Sequence, residues 1–366
     1  MSKIVNLGEW NNHKFLPLNL DCFPANPTYK HRTLNEIYNN ETSNKITDMR
    51  KAAEAHRIVR KHIQNTLKPG INIEKFCESL ENKTREILSD NLGLPHKESG
   101  IGFPTSFSIN NCVAHDSPTT GDKRIIHKND IIKVDFGTHV NGNIIDCAFT
   151  ASWNEQYKPL IDATKEATWE GIKMAGPDVV INDISDRINE VISSYEMELN
   201  GKIYKINSVK NLGGHDIHPY EIHGGAIILG GRHPQIPDSL RMKVDTCYAI
   251  ETFASTGKGW VENDPNLPTT LYKIKKINSY QNFKLTSTKK LFTHLKNKYD
   301  KLPFCTRWLD RDFSKYKLPL EQLVKNDIVN SYPPLSDTKG SLSSQMEHTI
   351  YLHDFGKEVL SVGKDY

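Results

Sequence analysis

Asp135 and Asp146 are the residues from which chemistry can first be read. They flank Asn141-Gly142 in KVDFGTHVNGNIIDCAFT, and Asn-Gly between apolar runs signals a two-residue type I′ hairpin. With Asn141 and Gly142 at the turn, Asp135 faces Ala148 and Asp146 faces Gly137. The two aspartates are then diagonal neighbours on one sheet face, about 7–8 Å apart at the backbone. Ile131, Ile132, Val134 and Phe136 surround one of them; Ile144, Ile145, Ala148 and Phe149 surround the other. Two carboxylates in such surroundings repel each other and are costly to desolvate, and a bound cation removes both problems. An edge hairpin with both acids in water is the competing reading.

Three further segments carry isolated polar groups in strand-like or glycine-rich settings. His215 follows Gly213-Gly214, where the backbone can bend. Glu251 lies in YAIETFA and Glu347 in SSQMEHTI. A single buried Glu is more often paired with Arg or Lys. Taken together, the five side chains form an oxygen and nitrogen donor set without thiolate, and their four carboxylates balance two divalent cations. Such a set suits Mn, Co, Fe(II) or Zn.

The elements that position these groups follow from periodicity. Ile46, Met49, Ala53, Ile58 and Ile63 recur at helical spacing, and Pro69-Gly70 closes that helix. A second helix is expected after Asn72, with Phe76, Leu80, Ile87 and Leu88 on one side and Gly93 as its stop. Two more are expected over 157–175 and 182–195, separated by Gly176-Pro177. Asn200-Gly201 marks a second hairpin, and TCYAIETFAST and SQMEHTIYL read as strands. Helices interspersed with antiparallel hairpins predict an α+β fold. Residues 1–40 read as an irregular lead-in packed on a catalytic domain over 41–366.

Within that domain, residues 271–330 hold twelve Lys and two Arg against four Asp and one Glu, a net +9 in a chain whose total is +3. Leu291 and Leu295, then Leu318, Leu320, Leu323 and Val324, suggest short helices in an inserted subdomain. A solvated lysine surface accounts most plainly for the charge; a docking face for ribosomal RNA is the alternative. The six cysteines are scattered without CxxC spacing, which argues against a zinc-thiolate site and for buried thiols in a reducing compartment. No apolar run is long enough to span a bilayer and the N-terminus reads as no secretory signal, so a cytoplasmic protein without membrane contact is expected.

The order Asp, Asp, His, Glu, Glu resembles the metallopeptidases of the pita-bread fold, and the words around it resemble type 2 methionine aminopeptidases. GFPTSFSINNCVAHDSP, KVDFGTHVNGNIIDCAFT, NLGGHDIHPYEIHGG, YAIETFASTGKG, FCTRWLDR, YPPLSDTKGS and QMEHTI carry the likeness, which covers about residues 40–366. The basic insert falls where that type has a helical insertion. The resemblance implies an antiparallel pita-bread sheet with flanking helices. It also implies removal of the initiator methionine from nascent polypeptides with a small second residue, by a hydroxide activated between two metal ions. Asp135, Asp146, His215, Glu251 and Glu347 would be the metal ligands, and Glu251 would also relay a proton. His115 would contact the scissile amide, His223 would donate to the tetrahedral intermediate, and Phe103, Ile222 and Tyr332 would line the methionine pocket. A histidine held in a loop, or ordinary core packing, is what spacing alone suggests for these last residues. The expected partners are nascent N-termini and, through the insert, the ribosome surface; a monomer is expected. Non-catalytic relatives and proline-directed peptidases share the fold. The complete ligand set argues against the first, and the insert with the words around His115 against the second.

Overall fold

The computed structural model describes residues 42–90, 97–275, 283, 285–363 and 365, together with the backbone of 14–17. Its strands in chain order are β1 (Lys14–Pro17), β2 (Ser99–Ile109), β3 (Ile131–Val140), β4 (Asn143–Ser152), β5 (Gly213–Ile217), β6 (Ile227–Leu229), β7 (Thr246–Ser255), β8 (Leu271–Ile274), β9 (Phe304–Cys305), β10 (Val329–Tyr332), β11 (Ser343–His353) and β12 (Gly356–Val359), with shorter pairs between them. The helices are α1 (Thr42–Thr66), α2 (Ile73–Arg85), α3 (Lys158–Met174), α4 (Ile181–Ser193), α5 (Thr286–Tyr299), α6 (Thr306–Asp312) and α7 (Lys317–Lys325).

Asn141 and Gly142 both take positive φ, 49° and 76°, as a type I′ turn demands. The resulting β3–β4 register pairs Asp135 with Ala148 and Gly137 with Asp146, as the turn chemistry dictates. Asn200 and Gly201 close the second expected hairpin in the same way, with φ of 53° and 77°. β2, β3 and β4 form one antiparallel sheet, and β1-β12-β11-β7-β5-β6 run in that order through a larger one. Apart from β1, whose remaining neighbours in 1–40 lie outside the described residues, the lead-in segment expected from the sequence has no described structure.

The two sheets meet where β4 crosses β11, and two threonines stitch them together. Thr349 Oγ1 accepts from the Asp146 amide at 2.8 Å and donates to the Asp146 carbonyl at 2.6 Å. Thr150 Oγ1 does the same for Gln345, at 2.8 and 2.6 Å. Each hydroxyl thereby satisfies two backbone groups that would otherwise be orphaned at the seam between sheets. α1 covers β3 and β4 with Ile46, Met49, Ala53 and Ile63 buried, and the His56 ring stacks on Phe136 at 3.8 Å. α3 covers β7 and β11 on the far side, and α4 packs against α3 and over β6, through a core of Leu160, Ala167, Ile184, Ile188, Ile250 and Ile350. Covered on both sides, β3 buries every residue except Asp135, and β11 buries all of its residues.

The insert has a core of its own. β8, β9 and β10 form a small sheet against α5, α6 and α7, with Leu291, Leu295, Phe304, Trp308, Leu320 and Leu323 buried among them. Leu318, expected on the buried side of α7, is instead 58% exposed, because the helix turns Leu320 and Leu323 inward. The helix expected to run to Gly93 ends as an α-helix at Arg85 and continues as a π-turn through Asp90; Gly93 lies outside the described residues. The five described cysteines are free and buried, and Cys22 lies outside the described residues.

Candidate metal centre

The seam between the sheets places acids opposite acids. β7 and β11 are antiparallel neighbours with Glu251 paired directly with Glu347, and β5 pairs His215 with Ala249, two residues from Glu251. Like charges facing each other across a ladder are destabilising in an unliganded sheet. Asp135 and Asp146 reach the same place from β3 and β4. Ligand atoms of Asp146, His215 and Glu347 all lie within 4.8 Å of one another, and so do those of Asp135, Glu251 and Glu347. Glu347 belongs to both triads.

The electrostatics are those of a site built around positive charge. Asp135 Oδ1, Asp146 Oδ1 and both Glu347 carboxylate oxygens are buried with no hydrogen-bond donor among the described residues. Burial pushes the carboxyl groups of Asp135, Glu251 and Glu347 well above the usual carboxylate range, and their mutual repulsion pushes further. A buried acceptor left without a donor costs on the order of 1–3 kcal/mol, and more when charged. Four acceptor oxygens aimed at shared space, one imidazole and no thiolate are the donor chemistry of divalent cations. The residues fit such ions.

Neighbouring groups fix the donors in place. Gln345, two residues before Glu347 on β11, donates from Nε2 to Glu251 Oε1 at 2.8 Å and to Asp135 Oδ2 at 3.2 Å. His215 Nδ1 lies 3.3 Å from the Asp216 carbonyl oxygen. With the proton on Nδ1, that contact leaves Nε2, 3.5 Å from Asp146 Oδ2, with an unprotonated lone pair able to bind a metal ion. The double glycine before His215 is required by close packing. A Cβ at Gly213 would collide with the Ile228 carbonyl oxygen, and one at Gly214 with that of Ala249. Asp216 then orders the loop beyond, accepting the Ala226 amide at 2.8 Å on its side chain and the Gly224 amide at 2.9 Å on its carbonyl.

A cavity of about 430 Å³ opens on this cluster. Its walls include His115, His223, Phe103, Ile222 and Tyr332, along with four of the five candidate ligands; Glu347 lies behind them. His115 sits in the left-handed region at φ 67°, a backbone cost that marks a residue held for a purpose. Burial brings its pKa down to about 4, so the ring is neutral near pH 7. His223 keeps an accessible face toward the cavity, yet the surrounding protein desolvates its ring, and with His215 nearby its pKa falls well below 6.5. Its ring lies 4.4 Å from that of His215, and both His223 and His115 lie 5.8 Å from Tyr332. Phe103 and Ile222 supply an apolar side, and Leu271 and Pro303 bring the insert to the same wall.

Sequence reasoning missed Gln345, Thr349 and Asp216. Gln345 carries a readable signal, since it alternates with Glu347 and so shares its strand face. Thr349 shares it too, but nothing local distinguishes its hydroxyl from any other strand threonine.

Residues 47–278 match the Peptidase_M24 family, metallopeptidase family M24. Methionine aminopeptidase 2 of Dictyostelium discoideum is 45% identical over 328 residues, spanning 88% of this chain and 72% of the relative. Methionine aminopeptidase 2 of Schizosaccharomyces pombe is 44% identical over 323 residues, spanning 87% of this chain and 73% of the relative. Among solved structures, a thermophilic Arx1 superposes with a TM-score of 0.73 at 19% identity, covering 88% of this chain and 92% of the other. A methionine aminopeptidase from Thermotoga maritima gives 0.57 at 20% identity, covering 88% and 98%. These two likenesses carry the fold alone, the pita-bread arrangement expected from the sequence. The family match and the close relatives together make the chain a member of metallopeptidase family M24, of the type 2 methionine aminopeptidase branch.

Proposed function

We propose that this protein removes the initiator methionine from nascent polypeptides whose second residue is small, in the cytoplasm, using two divalent metal ions held by Asp135, Asp146, His215, Glu251 and Glu347. The observation that carries this is the pair of ligand triads sharing Glu347, whose buried oxygens have no donors among the described residues. Asp135 and Glu251 would hold one ion, Asp146 and His215 the other, with Glu347 common to both. Mn, Co, Fe(II) and Zn all suit these donors. When bound, such a pair supplies Lewis acidity and a water acidified enough to attack an amide carbonyl near neutral pH.

The chain's own residues do the rest. Phe103, Ile222 and Tyr332 would receive the methionine side chain, an unbranched thioether suited to an apolar recess with aromatic edges. Glu251 lies among the ligands and would accept the proton of the attacking water and pass it toward the leaving amine. His115, neutral near pH 7, would hydrogen-bond the scissile amide. His223 would donate to the oxygen on which charge develops, in a site where low dielectric strengthens the contact.

The test is a peptide assay. Chelated protein is expected to release no methionine from Met-Ala or Met-Gly peptides, and added Mn or Co is expected to restore release. Hydrolysis of Xaa-Pro peptides with no action on Met-Gly would assign a different specificity.

A further inference from the structure

We propose that Glu221 is a positioning residue for His223, and that the insert acts on the catalytic rate by gripping its carboxylate. The proposal rests on the hydrolytic reading above and deepens it. Residues 218–221 form a tight turn in which His218 and Glu221 exchange backbone hydrogen bonds, both at 2.9 Å. Ile222 and His223 follow directly and face the cavity, whereas Glu221 itself does not line it.

The turn's own hydrogen bonds fix its shape. Asp216 at the end of β5 holds its base, with His218 Nε2 3.0 Å from Asp216 Oδ2 and the Gly224 amide on the Asp216 carbonyl, and two further anchors hold its outer end. On one side the Tyr220 amide donates to the Gly142 carbonyl at 2.8 Å, with Tyr220 in the left-handed region at φ 61°. Gly142 is the tip of the hairpin that carries Asp135 and Asp146. On the other side Glu221 Oε1 lies 3.5 Å from Lys273 Nζ, and Oε2 accepts from Lys301 Nζ at 3.3 Å. Both lysines belong to the insert.

The Lys273 side chain is 8% exposed, so its ammonium is poorly solvated and depends on Glu221; the Lys301 side chain, 42% exposed, contributes less. Neutralising Glu221 would leave Lys273 facing Lys301 with no carboxylate between them, and the turn would be pushed from its seat. Displacing a reacting group by about 1 Å can cost a rate factor on the order of a hundred.

Glu221→Gln and Glu221→Asp are compared with Lys275→Gln, an insert lysine paired at the surface with Asp327. On a Met-Ala peptide, Glu221→Gln is expected to lower kcat roughly tenfold or more with metal content unchanged, measured without denaturant on protein shown by circular dichroism to be folded. Glu221→Asp is expected to recover most of that loss, and Lys275→Gln to match the parent. In chelated protein the His223 imidazole NMR shifts should move in Glu221→Gln and stay put in Lys275→Gln. A Glu221→Gln kcat within about twofold of the parent, or a loss that tracks metal content or unfolding and is not recovered by Asp, overturns the proposal. If the parent chain releases no methionine at all, the hydrolytic reading fails instead. The NMR comparison then decides the positional claim, and unmoved His223 shifts reject it.

Discussion

Glu347 is fully buried and has neither carboxylate oxygen matched to a donor among the described residues, which makes it costly in the metal-free protein. Glu347→Gln is therefore expected to stabilise the chelated protein by about 1–3 kcal/mol while lowering metal affinity; urea titration and metal analysis read the two effects separately. His115 behaves differently, since it belongs to neither ligand triad. His115→Ala should keep full metal content and lose turnover by roughly a hundredfold or more. Behind the site, burial holds the His56 pKa well below 6.5 and brings His348 to about 3. Both rings are therefore neutral in the fold, while in the unfolded chain they take up protons below pH 6.5. Stability is lost as pH falls through 6.5, by up to about 1.4 kcal/mol per pH unit for each ring until its folded pKa is reached. Urea midpoints at pH 7 and pH 5.5 measure this, and His56→Asn should flatten the dependence. At this scale Asp135 and Asp146 were legible because Asn-Gly fixes a register by turn chemistry alone. The facing of Glu251 and Glu347 was not, because a pairing between distant strands leaves no trace in either one's sequence.

Helices and the central strands follow from their apolar period, but β2 does not. It carries Gly100, Gly102 and Pro104, and its register against β3 slips between Ile101 and Phe103 and again before Ser106. An edge strand can hold a proline at such a bulge, where a missing amide breaks no ladder, and the interrupted alternation hides the strand from pattern reading. The slip has a consequence for the site, since Phe103 reaches the cavity wall from it. The insert is likewise more than its lysines. Arg307 on α6 makes two hydrogen bonds to Glu81 of α2, at 2.9 and 2.7 Å, and Trp308 Nε1 donates to the same carboxylate at 2.7 Å. Glu81 and Arg307 are both essentially unexposed. Removing Arg307 takes the main counter-charge from a buried Glu81 and leaves it Trp308 and a more distant Arg85 at 3.7 Å, so Arg307→Met is expected to cost about 3 kcal/mol, with Glu81→Leu/Arg307→Met recovering part of it. Equal stability for the two variants in chemical denaturation would show that the pair does not dock the insert.

At the scale of the whole molecule, two sheets crossing at β4 and β11 bring carboxylates from four strands and one imidazole to a seam no single element contains. The α+β class could be read from interspersed helical and hairpin patterns; the seam could not, because it depends on Thr150 and Thr349 joining strands of different sheets. Facing outward, α5 presents Lys289, Lys290 and Lys296 to solvent. If this face meets ribosomal RNA, as proposed from the insert's charge, association should weaken steeply between 50 and 200 mM salt, and sedimentation with ribosomes across that range reads it. No helix among the described residues is long and apolar enough to cross a membrane. The central claim is that two ions sit in one five-residue cage and that their binding switches on methionine release. Titrating Mn into chelated protein, with bound metal and methionine release from a Met-Ala peptide measured on the same sample, tests it directly. Release that rises with metal and saturates at no more than two ions per chain is the expected result. Full release with chelator present, or no metal bound at any concentration, would contradict it.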